Sequence, residues 1–386
     1  MNTKKNLSIV ASFAILAVTS VSAQTTTINW ASPTTGGLWA DANWEGGTRP
    51  TSSTQIANLG NATADRVVVA PNGGTNMGIG GLLAGIQFSQ TSPYRNTVEL
   101  RRGVGITNEI VLEATGGGSV VLFSNTTTDN LTDATGNYGG NTRALSAAGG
   151  IRLNTGGALL LAKTVNGTGA GSGPIIETQL LFNADTTIAG GELVVQNAQK
   201  TGSGNATRVT YTDQGSGKGN ITMSSGKIEV GAAYTGSLAG TAISDTNLKL
   251  AGSLTLTGGT TLLHLTSTTH AAKLISGLAL TFGGDLVLDV APGALADGAV
   301  FKLFEATTGG LTGDFASVTL SGIGQAFQND GSGLWTTDYN GFNYAFSEST
   351  GNLSITTSQI PEPSTVALLA GIGALMLVIG LRRLKR

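Results

Sequence analysis

Seven times along the chain a glycine stands immediately before a short run of alternating apolar residues. The segments are Gly118-Ser-Val-Val-Leu122, Gly157-Ala-Leu-Leu-Leu161, Gly191-Glu-Leu-Val-Val195, Gly226-Lys-Ile-Glu-Val230, Gly252-Ser-Leu-Thr-Leu256, Gly284-Asp-Leu-Val-Leu288 and Gly351-Asn-Leu-Ser-Ile355. The first six are spaced by 39, 34, 35, 26 and 32 residues, periods typical of stacked repeats. Upstream of several lies a second alternating stretch: Ile110 with Leu112, Ile151 with Leu153, Ile221 with Met223, Leu248 with Leu250, Leu278 with Leu280. Each unit therefore reads as strand, glycine corner, strand. Alternation turns one face inward and leaves Ser, Thr, Lys or Glu outward, and glycine supplies the backbone freedom of a sharp corner. One unit cannot bury its apolar face, whereas a stack of them can.

Composition narrows the fold further. The 386 residues include 58 Gly and 8 Pro, 11% are charged, 5% are aromatic and Cys is absent. So much glycine among β-branched threonines disfavours long helices. A 40% hydrophobic content separates the chain from simple disorder and from collagen. Without Cys there is neither a disulfide framework nor a thiolate metal site. These features predict an all-β protein, a β-solenoid resembling a right-handed parallel β-helix, with irregular loops between corners. A β-sandwich array is the competing architecture, but its hairpins call for Asn-Gly or Asp-Gly turns between successive strands. A calcium-binding repeat solenoid is excluded by the missing Gly-Gly-x-Gly-x-Asp register.

Both ends carry export signals rather than fold. Lys4 and Lys5 precede an apolar run near Ile9 to Val18 and the small-residue site Val21-Ser22-Ala23, the pattern of a signal peptide cut between Ala23 and Gln24. Thr365 to Leu381 is 17 residues without a charge, followed by Arg382, Arg383, Lys385 and Arg386. As a helix it spans roughly 25 Å, near the lower limit for a bilayer. The basic stop keeps that end cytoplasmic, which places the body across the membrane.

Before this helix stands Pro361-Glu362-Pro363. The prolines favour an extended segment, and the charge of Glu362 keeps it out of the bilayer. Pro-Glu-Pro, a short apolar helix and a basic terminus in that order resemble the PEP-CTERM sorting signal of exopolysaccharide-associated Gram-negative bacteria. The resemblance implies processing by an exosortase as well as by signal peptidase. It also implies an inner-membrane-anchored precursor, and then residence at the cell surface or in the extracellular biofilm matrix. The alternative is a plain carboxy-terminal anchor.

Aromatic residues gather at the flanks of the body. Trp30, Trp39 and Trp44 fall within fifteen residues, and Phe301, Phe304, Phe315, Phe327, Phe342 and Phe346 gather with Trp335, Tyr339 and Tyr344. Both groups read as caps over terminal rungs; a carbohydrate-stacking platform is the alternative for the tryptophans. The Trp…Gly-x-Trp…Asn-Trp opening and the corner-strand units over roughly residues 28 to 290 resemble the autotransporter-associated β-strand repeat proteins. No outer-membrane barrel follows, so self-translocation is not carried over. The expected organisation is a signal peptide over 1–23, an N-terminal cap and first rungs over 24–105, and solenoid repeats over 106–298. A C-terminal cap over 299–358 and the sorting signal over 359–386 complete it.

Candidate chemistry is sparse. His264 and His270, the only histidines, are too few for a three-histidine site and have no carboxylate nearby in sequence. Asp129 and Asp133 lie in a loop of suitable composition for Ca²⁺ but without EF-hand spacing. Asp285 and Asp289 share one strand face at roughly 13 Å, too far apart for paired-carboxylate glycoside chemistry. No catalytic residue, metal or cofactor is assigned. Once the ends are removed, 15 basic residues face 22 acidic ones, a net charge of −7, which argues against nucleic acid. The expected function is an exported structural or adhesive surface protein associated with extracellular polysaccharide, and not an enzyme. A β-helix lyase or hydrolase acting on that polysaccharide and a passive spacer are the alternatives.

Overall fold

The computed structural model describes residues 25–358, except 40, 71–81, 102–103, 129–142, 168–174, 203–207, 214–218, 237–239, 244, 268–269, 293–295 and 323. The signal-peptide site at Ala23 and Gln24, the Pro361-Glu362-Pro363 motif, the apolar helix and the stop at Arg382, Arg383, Lys385 and Arg386 lie outside the described residues. Among the described residues the protein is all-β: no α-helix occurs, and none is long and apolar enough to cross a membrane.

The strands form three parallel ladders, each visited once per repeat. The first runs through Ile110–Leu112, Ile151–Asn154, the first halves of Thr186–Gln196 and Ile221–Ala232, then Leu254–Leu256, Leu280–Phe282 and Leu311–Gly313. A three-stranded parallel sheet of Thr26–Asn29, Gln55–Asn58 and Gly85–Gln87 precedes it. The second ladder runs from Gly37–Leu38 through Arg66–Ala70, Arg95–Leu100, Ser119–Thr128 and Gly157–Gly167. It continues through the second halves of Thr186–Gln196 and Ile221–Ala232 to Thr260–Ser267, Asp285–Val290 and Ser317–Leu320. The third contains Leu82–Leu83, Val104–Ile106, Arg143–Ala147, Ile175–Phe182, Arg208–Asp213, Asp245–Leu250, Lys273–Ser276 and Phe304–Ala306.

Parallel register stacks like on like. In the second ladder Val68, Val98, Leu122, Leu159, Leu193 and Ile228 form one inward column. All are fully buried in a single core shared by the three ladders. Each such side chain contributes about 1.5–3 kcal/mol by leaving water. The column is interrupted by Thr261, buried with no partner for its hydroxyl, before resuming at Leu286 and Val318.

The corner between the first and second ladders requires glycine. At Gly226 φ is +92°, and a Cβ would overlap the carbonyl oxygen of Gly191 in the preceding repeat; Gly284, at φ +65°, stands in the same relation to Gly259. The glycines thus pack against one another's backbones from repeat to repeat. This corrects the phase of one sequence unit: Gly252 opens a first-ladder strand, and the corner of that repeat is Gly258–Gly259, before Thr260–Ser267. By contrast, the links from the second to the third ladder vary greatly in length, from Leu100–Val104 to Thr128–Arg143.

The parallel ladders end at Leu320, and a sheet of another kind closes this end. Ala299–Lys302, Asn352–Thr357, Phe342–Ser347, Leu334–Tyr339 and Gln328–Asn329 form an antiparallel five-stranded sheet. The seventh glycine-led segment, Gly351 to Ile355, therefore belongs to this sheet and not to a parallel ladder. Hairpin geometry makes the difference, with Asn340 and Gly341 both at positive φ between the strands they join. Phe346 packs against Phe282, Phe304 and Phe315, with ring centroids 5.8 to 6.5 Å away. At the opposite end Trp44 contacts Trp30 edge-on at 5.1 Å and Trp39 at 4.7 Å. All three indoles are buried, so their faces are not a platform for sugar rings. Arg66, also buried, donates to Ser32 O (2.6 Å), Asn96 Oδ1 (3.0 Å) and the carbonyl of Leu59, tying this end to the stack.

Candidate functional site

The outward face of the second ladder gathers most of the charge that alternation leaves outside. Glu192, Lys227 and Glu229 occupy outward positions because Leu193 and Ile228 between them point into the core. Parallel pairing sets Glu192 opposite Lys227. The Lys227 ammonium donates to Glu229 at 2.7 Å and lies 3.4 Å from Glu192. His264 completes the row, with Nε2 2.9 Å from Glu229 Oε1 and Nδ1 2.6 Å from Asp289 Oδ2. The expectation that this histidine lacks a neighbouring carboxylate is overturned. Its partners are 35 and 25 residues away along the chain, about one repeat in each direction, and stacking makes them neighbours.

Electrostatics follow from that geometry. Burial lowers the His264 pKa, but hydrogen bonds to Glu229 and Asp289 outweigh it and the net shift is upward. The hydrogen bond from His264, opposed by burial and reinforced by Lys227, holds Glu229 down at about 2. Burial likewise works against the Lys227 ammonium, and its bonds to Glu229 and Glu192 raise it overall. An imidazolium whose two nitrogens face different carboxylates has no lone pair for a metal or a proton. It is a clamp across three successive repeats. Among the described residues no group of three or more His, Asp or Glu side chains is arranged to hold a metal ion.

The other sequence candidates do not assemble. His270 Nδ1 meets Ser267 Oγ at 2.8 Å, away from the clamp. Asp285 accepts from Ser317 Oγ at 2.6 Å while Asp289 engages His264, so the two aspartates serve different partners. Asp129 and Asp133 lie outside the described residues.

Beside the charged row lies a groove that the sequence reading missed. Outward Val121, Phe123, Leu160 and Val194 form a second apolar cluster, separate from the core, against which Tyr234 packs. Residues 232–236 fold back over it. Thr235 exchanges hydrogen bonds with Gln196 (2.8 and 3.1 Å), and the Tyr234 hydroxyl accepts from Asn125 Nδ2 at 2.9 Å. This strap separates two cavities of about 550 and 480 Å³, which share Arg95, Leu160 and Thr235 in their walls. Together they run across the second ladder from Arg66–Ala70 to Ile221–Ala232. Six strands at about 4.8 Å give a length of roughly 24 Å. The available signal was the recurrence of Glu or Lys at outward positions after successive corner glycines. What sequence could not give was the strap.

Comparison with protein-family models, curated proteins and solved structures finds no match. The site stands on its own geometry.

Proposed function

We propose that this chain is an exported, exosortase-processed β-solenoid, right-handed and capped by aromatic residues at both ends. It acts as a structural or adhesive component of the cell surface and its polysaccharide matrix. The observation that carries the reading is the long groove over stacked repeats. It consists of two adjoining cavities divided by the 232–236 strap, and its carboxylates are already bound to internal partners. Such carboxylates suit contact better than proton transfer, because general acid and base groups must exchange protons with substrate. The repeated outward Ser, Thr and Asn residues add many weak contacts, which multivalency turns into avidity. The sequence ends supply the address: signal peptidase at Ala23, an exosortase acting near Pro361-Glu362-Pro363, and an anchored precursor between the two events.

Two experiments test this reading. Incubated with the source organism's exopolysaccharide, the exported protein is expected to co-sediment with the polymer without shortening it. Shortening replaces the adhesive reading with a polysaccharide lyase or hydrolase, and neither binding nor shortening leaves a spacer. Replacing Pro361, Glu362 and Pro363 by Ala is expected to leave an uncleaved protein in the membrane fraction; normal processing of that variant sinks the sorting claim.

A further inference from the structure

Four cations line the groove, and three are committed. Arg66 is buried with carbonyl and Asn96 partners, Arg101 pairs with Glu99 at 3.1 Å, and Lys227 bridges Glu192 and Glu229. Arg95 differs. Its side chain is exposed, it has no hydrogen-bond or ion-pair partner among the described residues, and it lies in the wall common to both cavities.

The carboxylates of the same walls are all engaged. Asp65 accepts the backbone N–H of Arg95 at 2.7 Å, and Glu99 accepts from Arg101 and from Asn125 at 2.8 Å. Glu192 and Glu229 hold Lys227. The groove is balanced in formal charge, yet among the described residues its one uncommitted ionic group is the Arg95 guanidinium, in the wall common to both cavities. The apolar side chains of Val121, Leu160 and Val194 line one of the two cavities and are themselves buried.

We propose that this groove binds an acidic polysaccharide, with Arg95 gripping a carboxylate of the polymer at the wall that the two cavities share. A planar guanidinium offers paired N–H donors that match a carboxylate, and charge assistance makes such a pair about twice as strong as a neutral hydrogen bond. A linear polymer suits a groove roughly 24 Å long. The net negative body does not forbid this, because exposed charges are screened beyond about 8 Å at physiological ionic strength. The inference rests on the adhesive reading above and names the ligand class for it.

The test measures binding of the exported protein at physiological salt to polygalacturonate, to its methyl-esterified neutral form and to polyglutamate. Polygalacturonate is expected to bind most tightly. Arg95→Gln is expected to weaken that binding by about tenfold or more, the scale of one charge-assisted pair, and Arg95→Lys to restore part of it. Arg152→Gln is the charge control: Arg152 is half-exposed and paired to Glu109 at 2.8 Å, outside both cavities. It is expected to leave binding unchanged. Equal binding of the acidic and esterified polymers, an unaffected Arg95→Gln, or polyglutamate binding as well as polygalacturonate overturns the proposal. If no probe binds but the native matrix still co-sediments, the groove assignment fails and the adhesive reading stands; if the matrix also fails to bind, both fall.

Discussion

The parallel ladders and the antiparallel sheet that closes them keep order by different means. In the ladders each strand pairs with strands about one repeat away, and its corner glycine rests on the backbone of the preceding corner. In the sheet, the strands from Gln328 to Thr357 follow one another by hairpins, Ala299–Lys302 adds along the last of them, and a knot of phenyl rings holds the whole. The contrast separates order imposed by repetition from order imposed by local turns and a few large side chains. A fault in the first is passed to stacked neighbours, whereas a fault in the second stays at one end.

Phe346→Ala breaks the contrast hardest. Removing a fully buried phenyl costs about 3–5 kcal/mol. Because stacked repeats touch only their neighbours, hydrogen exchange is expected to lose protection over the hairpin strands of residues 328–357 while the repeats around Leu193 and Ile228 retain it. Global loss of protection removes the distinction between the regions. Next comes Gly226→Ala, where an unfavourable φ and a clash with backbone combine to about 3 kcal/mol. Gly341→Ala in the hairpin has no atom within 4 Å of the new Cβ and is expected to cost only about 1 kcal/mol. Denaturant midpoints compare the two, and equal losses would refute backbone stacking as the reason for glycine at the corner.

Glu348 sharpens the account of the sheet. It is buried and accepts from Phe315 N at 2.7 Å and Trp335 Nε1 at 2.9 Å. Burial outweighs those bonds and raises its pKa. Glu348→Ala orphans both donors and is expected to cost about 2 kcal/mol. Glu348→Gln keeps an acceptor, removes the buried charge and is expected to match or exceed the parent in thermal melts at pH 7.

The smallest effect belongs to the ladder clamp. Its His264 contribution is complete below that group's ordinary value of 6.5 and is lost as pH rises through its raised native value. The Glu229 contribution is complete above 4.5 and is lost as pH falls toward about 2. The clamp is therefore strongest between about pH 4.5 and 6.5. His264→Gln is expected to flatten the alkaline decline of the melting temperature, on the order of 1 kcal/mol in stability; an unchanged pH profile removes the clamp.

Much of this architecture is legible in the sequence because its cause is periodic. The corner glycines and the inward Leu and Val residues recur at a readable interval, so β-structure and two strands per repeat can be read directly. The third ladder hides. Its inward positions include Ala147, Tyr211 and Ser276, too varied for an apolar stripe, and links of unequal length precede its strands. The Gly252 unit slipped in phase because Gly-Ser-Leu-Thr-Leu suits either corner. At the site, the partners of His264 could be found only by folding the repeats onto one another. The isolation of Arg95 emerges only after every other charge on that face has found its mate.

The unequal links between the second and third ladders give the molecule one permissive margin. The corner from the first to the second ladder is held by glycines packed on the preceding backbone, while the links into the third ladder differ in length from repeat to repeat. Length varies where no column of the core depends on it, which makes these links the natural places to seat a foreign peptide.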